Sequence, residues 1–354
     1  MWCFITSWMH IMIGNLNLLS NGMTPITIYG GPFPNLYFQN GTLNLRTALI
    51  TGAAGYLGSH MAKALKRNGW HVIGLDIRTI NNAYIDRAMC FDVNDEDVLK
   101  YLFEEYKFDT VFHFAGRIEV GESNIVPTIF YQNNVSTTIT LLNVMKLYGV
   151  NKIIYSSTAG VYESKDRPLT EKDKLNPFNN PYAGSKYCAE LAIQQSGVKY
   201  VIFRYFNLAG ADEEMEFGEN HVPETHLIPK ILQNLNNVEI YGDTHKTYDG
   251  TCIRDYVHVS DVVDAHLSAA DYLQTKSSAI INLGTGKGYS VKEIVKLVEN
   301  IAGKVEYTIL PKRPGDPPFL TANIKLAEKH LQYRPKRDII DIIKTSYEWE
   351  KNRD

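Results

Sequence analysis

The chain has 354 residues, 44% hydrophobic and 21% charged, enough to bury the core of one large or two moderate domains. A net charge of -3, with no long run of Lys or Arg, excludes the electrostatic footprint of a nucleic-acid binder or of a protein held on an acidic membrane surface. Four scattered cysteines, Cys3, Cys90, Cys188 and Cys252, without a C-x-x-C, suit a reducing cytoplasmic compartment, and no close His or Cys ligand spacing points to a metal.

Residues 1–44 differ from everything after them, because the first charged side chain is Arg46. The apolar stretch from Trp2 to Leu19 lacks a basic flank and is interrupted by Thr6, Ser7, His10, Asn15 and Asn17, which is too polar for a spanning helix of ~20 apolar residues. NLYFQ at 35–39 resembles the core of a viral protease site. The segment reads as a leader, an upstream extension or an expression remnant outside the core fold.

From Arg46 the pattern becomes strand, glycine turn and helix. TALIT is an apolar run suited to a buried parallel strand, GAAGYLG breaks it, SHMAKALKRNG continues as a helix ended by Gly69, and HVIGLD is a second strand. Gly52, Gly55 and Gly58 would let the backbone turn sharply and approach a pyrophosphate held at the helix N-terminus. Asp76, at the end of the second strand, would accept hydrogen bonds from the adenosine ribose and so favour NAD over NADP. Arg78 close by weighs the other way.

Alternation continues with a helix in NDEDVLKYLFEEY, whose apolar face is Val98, Leu102 and Phe103, and a strand in FDTVFHFAG. A long helix through NNVSTTITLLNVMKLYG, the strand KIIYSS, a helix opened by Pro181 and the strand KYVIFRYFN follow. Strands alternating with helices predict an α/β fold, a doubly wound parallel sheet of the Rossmann type, with its ligand at the carboxyl ends of the strands. The predicted organisation is a cofactor domain over 45–210 and a smaller substrate domain over 211–354, with AIINLG at 279–284 returning to the large sheet. The cleft between them is the expected active site.

Tyr-x-x-x-Lys spacing occurs at Tyr148/Lys152, Tyr182/Lys186, Tyr272/Lys276 and Tyr347/Lys351, so spacing alone decides nothing. Only Tyr182/Lys186 follows a strand ending in SSTAGVY and opens the next helix, with Asn180 able to cap and Pro181 at the first helical position. A phenol of pKa near 10 needs nearby positive charge to act as a base at neutral pH. Lys186, the helix dipole and a nicotinamide cation would supply it, and Thr158 offers a hydroxyl to relay or orient the proton.

From Arg46 onward the chain resembles the UDP-glucose (UDP-galactose) 4-epimerases of the extended short-chain dehydrogenase/reductase family. TGAAGYLGSH, FAGRIEVGES, NNV, YSSTAGVY, NPYAGSK, YFNLAGA, HLIP, DGTCIRDYVHV, NLGTG and KRPGD occur in that family's order. The resemblance implies an NAD cofactor, a UDP-hexose substrate, a homodimer, and Tyr182, Lys186 and Thr158 as the catalytic group. Its implied cofactor contacts are Gly52, Gly55, Tyr56, Leu57, Gly58, Asp76, Asp92, Val93, Phe114, Ala115, Gly116, Asn134, Tyr182, Lys186 and Tyr205. Its implied substrate contacts are Thr158, Tyr182, Asn207, His226, Leu227, Arg254, Arg313, Asp316 and Leu320.

Ile118 stands where the family often has Lys, and His226 where some members carry Asn. Leu320 matches a position associated with room for the sugar's 2-substituent, which leaves N-acetylated substrates open. A 4,6-dehydratase is disfavoured because Ala159 and Gly160 follow Thr158 where such enzymes commonly carry carboxylates. A UDP-uronate epimerase and a non-catalytic NAD-binding protein remain as alternatives.

Overall fold

The structure, a computed structural model, describes residues 36–39, 42–313 and 316–353. Most of the expected leader, 1–44, and Pro314 and Gly315 of the KRPGD motif lie outside the described residues. Leu36–Gln39 (β1) and Thr42–Leu45 (β2) pair as an antiparallel hairpin in a unit separate from the body, Arg46–Asp354.

The body is organised on strands β3 (Thr47–Thr51), β4 (His71–Asp76), β5 (Arg87–Cys90), β6 (Thr110–His113), β7 (Lys152–Thr158), β8 (Lys199–Tyr205) and β13 (Ala279–Leu283). They form one parallel sheet in the order β13-β8-β7-β6-β3-β4-β5. Its central strands are apolar along their length because both faces are covered. Phe112, Val72 and Phe203 meet one apolar cluster, and Leu49, Ile73 and Val111 meet the other. Burying each of the larger side chains contributes about 1.5–3 kcal/mol.

The chain runs outward from β3 through β4 to β5, then returns to β6 on the opposite side of β3. The connections therefore diverge between β3 and β6 and leave a crevice at the carboxyl ends of those two strands. β5 had no counterpart among the expected strands. It is a four-residue edge strand, mostly exposed, so no apolar alternation marks RAMC.

Helix α1 (Tyr56–Arg67) follows the glycine turn, and α2 (Glu96–Glu105) is capped by Asp95, whose side chain accepts from Val98 N. The buried face of α2 is Leu99, Leu102 and Phe103, with Val98 at its margin. Short helices α3 (Val120–Ser123) and α4 (Pro127–Tyr131) lead through a π-helical turn, Gln132–Ser136, into α5 (Thr137–Leu147). A single uninterrupted helix was expected there. α6 (Pro181–Gln195) carries Tyr182 and Lys186.

Beyond residue 210 the chain is shared between two cores. α7 (Leu227–Gln233), α9 (Val291–Ala302) and α11 (Ile339–Asn352) enclose a separate apolar cluster that includes Ile228, Ile240, Ile294 and Ile342. β13, α8 (Val259–Thr275) and α10 (Lys325–Leu331) pack instead on the large sheet's core. The large sheet thus recruits more of the late chain than 279–284.

Gly58 shows how tightly α1 meets the turn: a Cβ there would lie 2.1 Å from the Gly52 carbonyl oxygen and 2.9 Å from Ala53 Cα. Backbone on both sides leaves nowhere to yield. Gly58→Ala is expected to cost about 1–3 kcal/mol, read as a lowered denaturant midpoint. An unchanged midpoint would refute that close approach.

Candidate active site

The glycine turn joins the crevice to α6 through a chain of close contacts. Gly52 has φ 73°, and a Cβ on it would come 2.7 Å from Ala115 N. Gly116, directly after Ala115, leaves room for Asn134 Oδ1, and a Cβ there would be 3.8 Å from Lys186 Nζ. Gly55 is the N-cap of α1 and offers no side chain to cap it. The first-turn N–H groups of Tyr56, Leu57 and Gly58 therefore point into the turn, as a pyrophosphate site requires.

Asp76 is 5% exposed and helps to hold this turn. Its Oδ2 accepts from Ala54 N at 2.9 Å, and its Oδ1 accepts from Arg78 N at 2.9 Å and Arg78 Nε at 3.3 Å. A carboxylate has about four acceptor sites, so a ribose hydroxyl can still be received. Arg78 is mostly exposed beside Gly55. Asp92 is exposed and accepts from Asn94 N at 2.8 Å, whereas the Val93 side chain lies in the core cluster with Leu75 and Leu99. A cofactor contact at 93 would therefore come from backbone.

α6 begins as its residues dictate: Asn180 Oδ1 accepts from Ala183 N at 2.8 Å, and Pro181 occupies the first turn. Tyr182, half-buried, faces the Thr158 hydroxyl at the end of β7. Thr158 also accepts from Gly160 N at 3.0 Å. Lys186 lies one turn along, 3% exposed, with Nζ 4.6 Å from the Tyr155 ring centre. The remaining Tyr/Lys spacings are not pairs of this kind. Tyr148 donates to Glu104 and Lys152 to Asp109, and Lys351 rests on the Tyr347 ring near the C-terminus.

In the polypeptide alone the electrostatics run against an ionised phenol. Burial pushes the Tyr182 phenol up to about 12, opposed by the Thr158 hydrogen bond and reinforced by the Glu119 charge. Burial also lowers the Lys186 ammonium to about 7, with Glu190 acting in the opposite sense. Lys186 faces Tyr155 and the Gly116 backbone, and desolvation outweighs any help it gives the phenol.

Asn134 sits in the π-helical turn, 1% exposed, and its amide donates to Ser185 Oγ at 2.8 Å and Arg117 O at 3.1 Å while accepting from Arg117 N. It latches the loop after β6 to α6. Phe114 N donates to Thr51 O at 3.1 Å, and Ala115 N to Thr51 Oγ1 at 3.4 Å. Tyr205, an expected cofactor contact, ends β8. Its hydroxyl meets His266 Nε2 at 2.7 Å and its ring packs against the large core.

On the other side, Asn207 lies on β9 (Asn207–Ala209), parallel to β12 (Tyr256–His258). Arg254 lies on β11 (Ile253–Arg254), in register with Leu320 on β16 (Phe319–Leu320). Arg254 donates to Asp316 at 2.5 Å and to Pro317 O at 2.7 Å, so the structure brings Arg254, Asp316 and Leu320 together. Arg313 is exposed, its guanidinium 3.7 Å above the Tyr241 ring. His226 is paired with Glu219, and Leu227 opens α7 against the smaller core.

A buried network was not foreseen. Glu190 on α6 receives two hydrogen bonds from Arg204 on β8, at 3.0 and 2.6 Å, and one from Ser157 on β7. Arg204 also donates to Tyr162, which donates to Asn282 on β13 at 2.7 Å. The network fixes α6 to β7, β8 and β13 next to Thr158. Its signal was available: Glu190 stands one turn past Lys186 on a helix face that is otherwise small and apolar.

A parallel sheet with a glycine turn at its switch point, and a Tyr/Lys/Thr group beside it, defines a dinucleotide-dependent enzyme. The chain belongs to the NAD dependent epimerase/dehydratase family, whose model matches residues 48–284. It is 40% identical over 318 residues to the UDP-glucose 4-epimerase of Halalkalibacterium halodurans, a match spanning 86% of this chain and 95% of that protein. The UDP-glucose 4-epimerase of Bifidobacterium longum, solved with NAD+ and UDP, superposes with a TM-score of 0.81 at 36% identity, covering 87% of this chain and 99% of that one. The UDP-Glc/GlcNAc 4-epimerase of Campylobacter jejuni superposes with a TM-score of 0.74 at 34% identity, covering 86% and 99%.

Proposed function

We propose that the chain interconverts UDP-galactose and UDP-glucose by inverting sugar C4 through a 4-keto sugar. The observation that supports this reading is that Tyr182 faces Thr158, with Lys186 one turn along its helix and beside Gly116, whose neighbour Ala115 touches the glycine turn. The residues present fit NAD: a turn that a Cβ would fill, an uncapped helix start and a nearly buried Asp76. When bound, NAD supplies the redox half of the exchange, accepting hydrogen from C4 and giving it back.

Tyr182 takes the proton from the sugar 4-hydroxyl, with Thr158 orienting the hydroxyl it leaves from. Lys186, whose amine stands beside the Gly116 backbone, would hold the nicotinamide ribose. Asn207, Leu227, Arg254, Arg313 and Asp316 retain the UDP while the hexose stays loosely held, so that the oxidised sugar turns over before it is reduced. Ala159, buried and directly after Thr158, supplies no carboxylate for the elimination a 4,6-dehydratase performs. Incubation with NAD and UDP-galactose should yield UDP-glucose. A 4-keto-6-deoxy sugar, or no product, would overturn the reading. UDP-N-acetylgalactosamine run in parallel tests whether Leu320 admits the larger 2-substituent.

Arg254→Ala is expected to weaken UDP binding roughly 10- to 100-fold, the worth of charge-assisted hydrogen bonds of about 1.5–3 kcal/mol. Calorimetry with UDP reads this directly, and unchanged affinity would remove Arg254 from the clamp. The proposal includes a cofactor lobe and a substrate lobe facing the same cleft, supported by the separate apolar cores. It includes a homodimer and a cytoplasmic location, the latter supported by free thiols at Cys90, Cys188 and Cys252. No helix among the described residues is long and apolar enough to cross a membrane.

A further inference from the structure

The loop leading into α7 carries Glu219, His221, Glu224 and His226, and one donor atom from each of the four lies within 4.8 Å of the others. His221 Nδ1 is 3.2 Å from Glu219 Oε1 and 3.8 Å from Glu224 Oε2, and His226 Nδ1 meets the same Glu219 oxygen. Both carboxylate side chains are nearly buried, 6% and 4% exposed. Among the described residues their ion-pair partners are these two imidazoles and no Lys or Arg. Two buried carboxylates take a positive charge between them, from the two imidazoles in the ion-free chain or from a cation that the four donors bind.

Glu224 directs Oε1 to the N–H groups of Thr225 and His226, at 2.7 and 2.8 Å. Its Oε2 is turned into the group with no hydrogen-bond partner, and so is His221 Nδ1. The neighbouring acidic group, Asp212, Glu214 and Glu216, is different. It closes around the Lys63 ammonium, with Arg67 on Glu214, and is already neutralised.

We propose that Glu219, His221, Glu224 and His226 form a structural site for a divalent transition-metal ion of the zinc type. Two imidazole nitrogens and two carboxylate oxygens suit zinc, whereas calcium and magnesium call for oxygen throughout. Tetrahedral bonds of about 2.0–2.1 Å put ligand atoms roughly 3.3 Å apart, close to the His221 separations. All four ligands come from the protein, the mark of a structural site, and His226 would then serve the ion in place of the substrate contact the resemblance implies.

The loop is gripped from its other side by α11, where Trp349 Nε1 donates to Glu219 O at 2.9 Å. A Cβ on Gly218 would fall 2.4 Å from the Trp349 ring, so only glycine leaves room for it. The ion would complete this anchorage and fix the start of α7. It holds whether or not the proposed sugar chemistry is correct. The spacing Glu-x-His-x-x-Glu-x-His fits none of the helical metal motifs, so the sequence pointed to no metal.

The test is metal analysis of the full chain purified without chelator, followed by zinc titration of the stripped protein against a competing chromophoric chelator. The expected results are roughly one zinc per chain and a dissociation constant below about 1 µM. His221→Ala and Glu224→Gln should each weaken zinc binding by at least about 100-fold, while Glu214→Gln in the Lys63 group leaves it unchanged. Zinc should raise the melting temperature of the wild-type chain and not that of either ligand variant. Absence of saturable binding by the stripped wild-type protein overturns the proposal without recourse to any variant. Wild-type affinity retained by both ligand variants overturns it as well, because the ion would then lie elsewhere.

Discussion

Tyr182→Phe should lower turnover of UDP-galactose by roughly 10²–10⁴-fold, the usual worth of a positioned acid or base, while UDP affinity stays within about a factor of two. Phenylalanine keeps the ring and its packing and removes only the oxygen that faces Thr158. Steady-state kinetics beside calorimetry with UDP separates the two effects, and unchanged turnover would dismiss Tyr182 as the base. The pH dependence adds a signature. In the polypeptide alone burial holds the phenol near 12, and only its ionised form accepts a proton. Turnover by the wild-type chain should therefore rise with pH until the phenol is ionised in the complex. Residual activity of the variant should lack that rise.

The fold was readable in the sequence wherever a strand is buried on both faces, as in TALIT and KIIYSS, because a continuous apolar run between turn signals has few other uses. β5 was not readable, since an exposed edge strand such as RAMC needs no apolar pattern. The π-helical turn at Gln132–Ser136 was hidden for another reason: it widens a helix without changing composition. At the site, the cap, the proline and the Tyr/Lys spacing were local and therefore visible. Pairings across elements were not. Arg204 on β8 joins Glu190 on α6, and Arg254 meets Asp316 across 62 residues. Tyr205 illustrates the limit of motif position, since its place at a strand end does not say which face its hydroxyl takes, and His266 on α8 claims it.

Lys186→Met should abolish most activity yet stabilise the nucleotide-free chain at neutral pH by about 2–4 kcal/mol. The ammonium is 3% exposed and burial lowers it to about 7, so folding near neutrality works against the lysine's preference for its charged, hydrated form. The unfolded chain retains a lysine near 10.4 and thus binds more protons than the folded chain between about pH 7 and 10.4. Stability from this group must then increase with pH across that window and be least below it. Methionine has a similar length, fills the space against Tyr155 and carries no charge. The advantage of the variant should accordingly shrink toward pH 10, where wild-type Lys186 is neutral when folded. Urea denaturation of both proteins at pH 7 and pH 10 measures the difference. A variant less stable than wild type at pH 7 would show that the Tyr155 contact and Glu190 field outweigh burial. A gain there joined to lost turnover places the strain in the group that performs the chemistry, with stability given up at Lys186 to keep its amine at the cofactor side of the site.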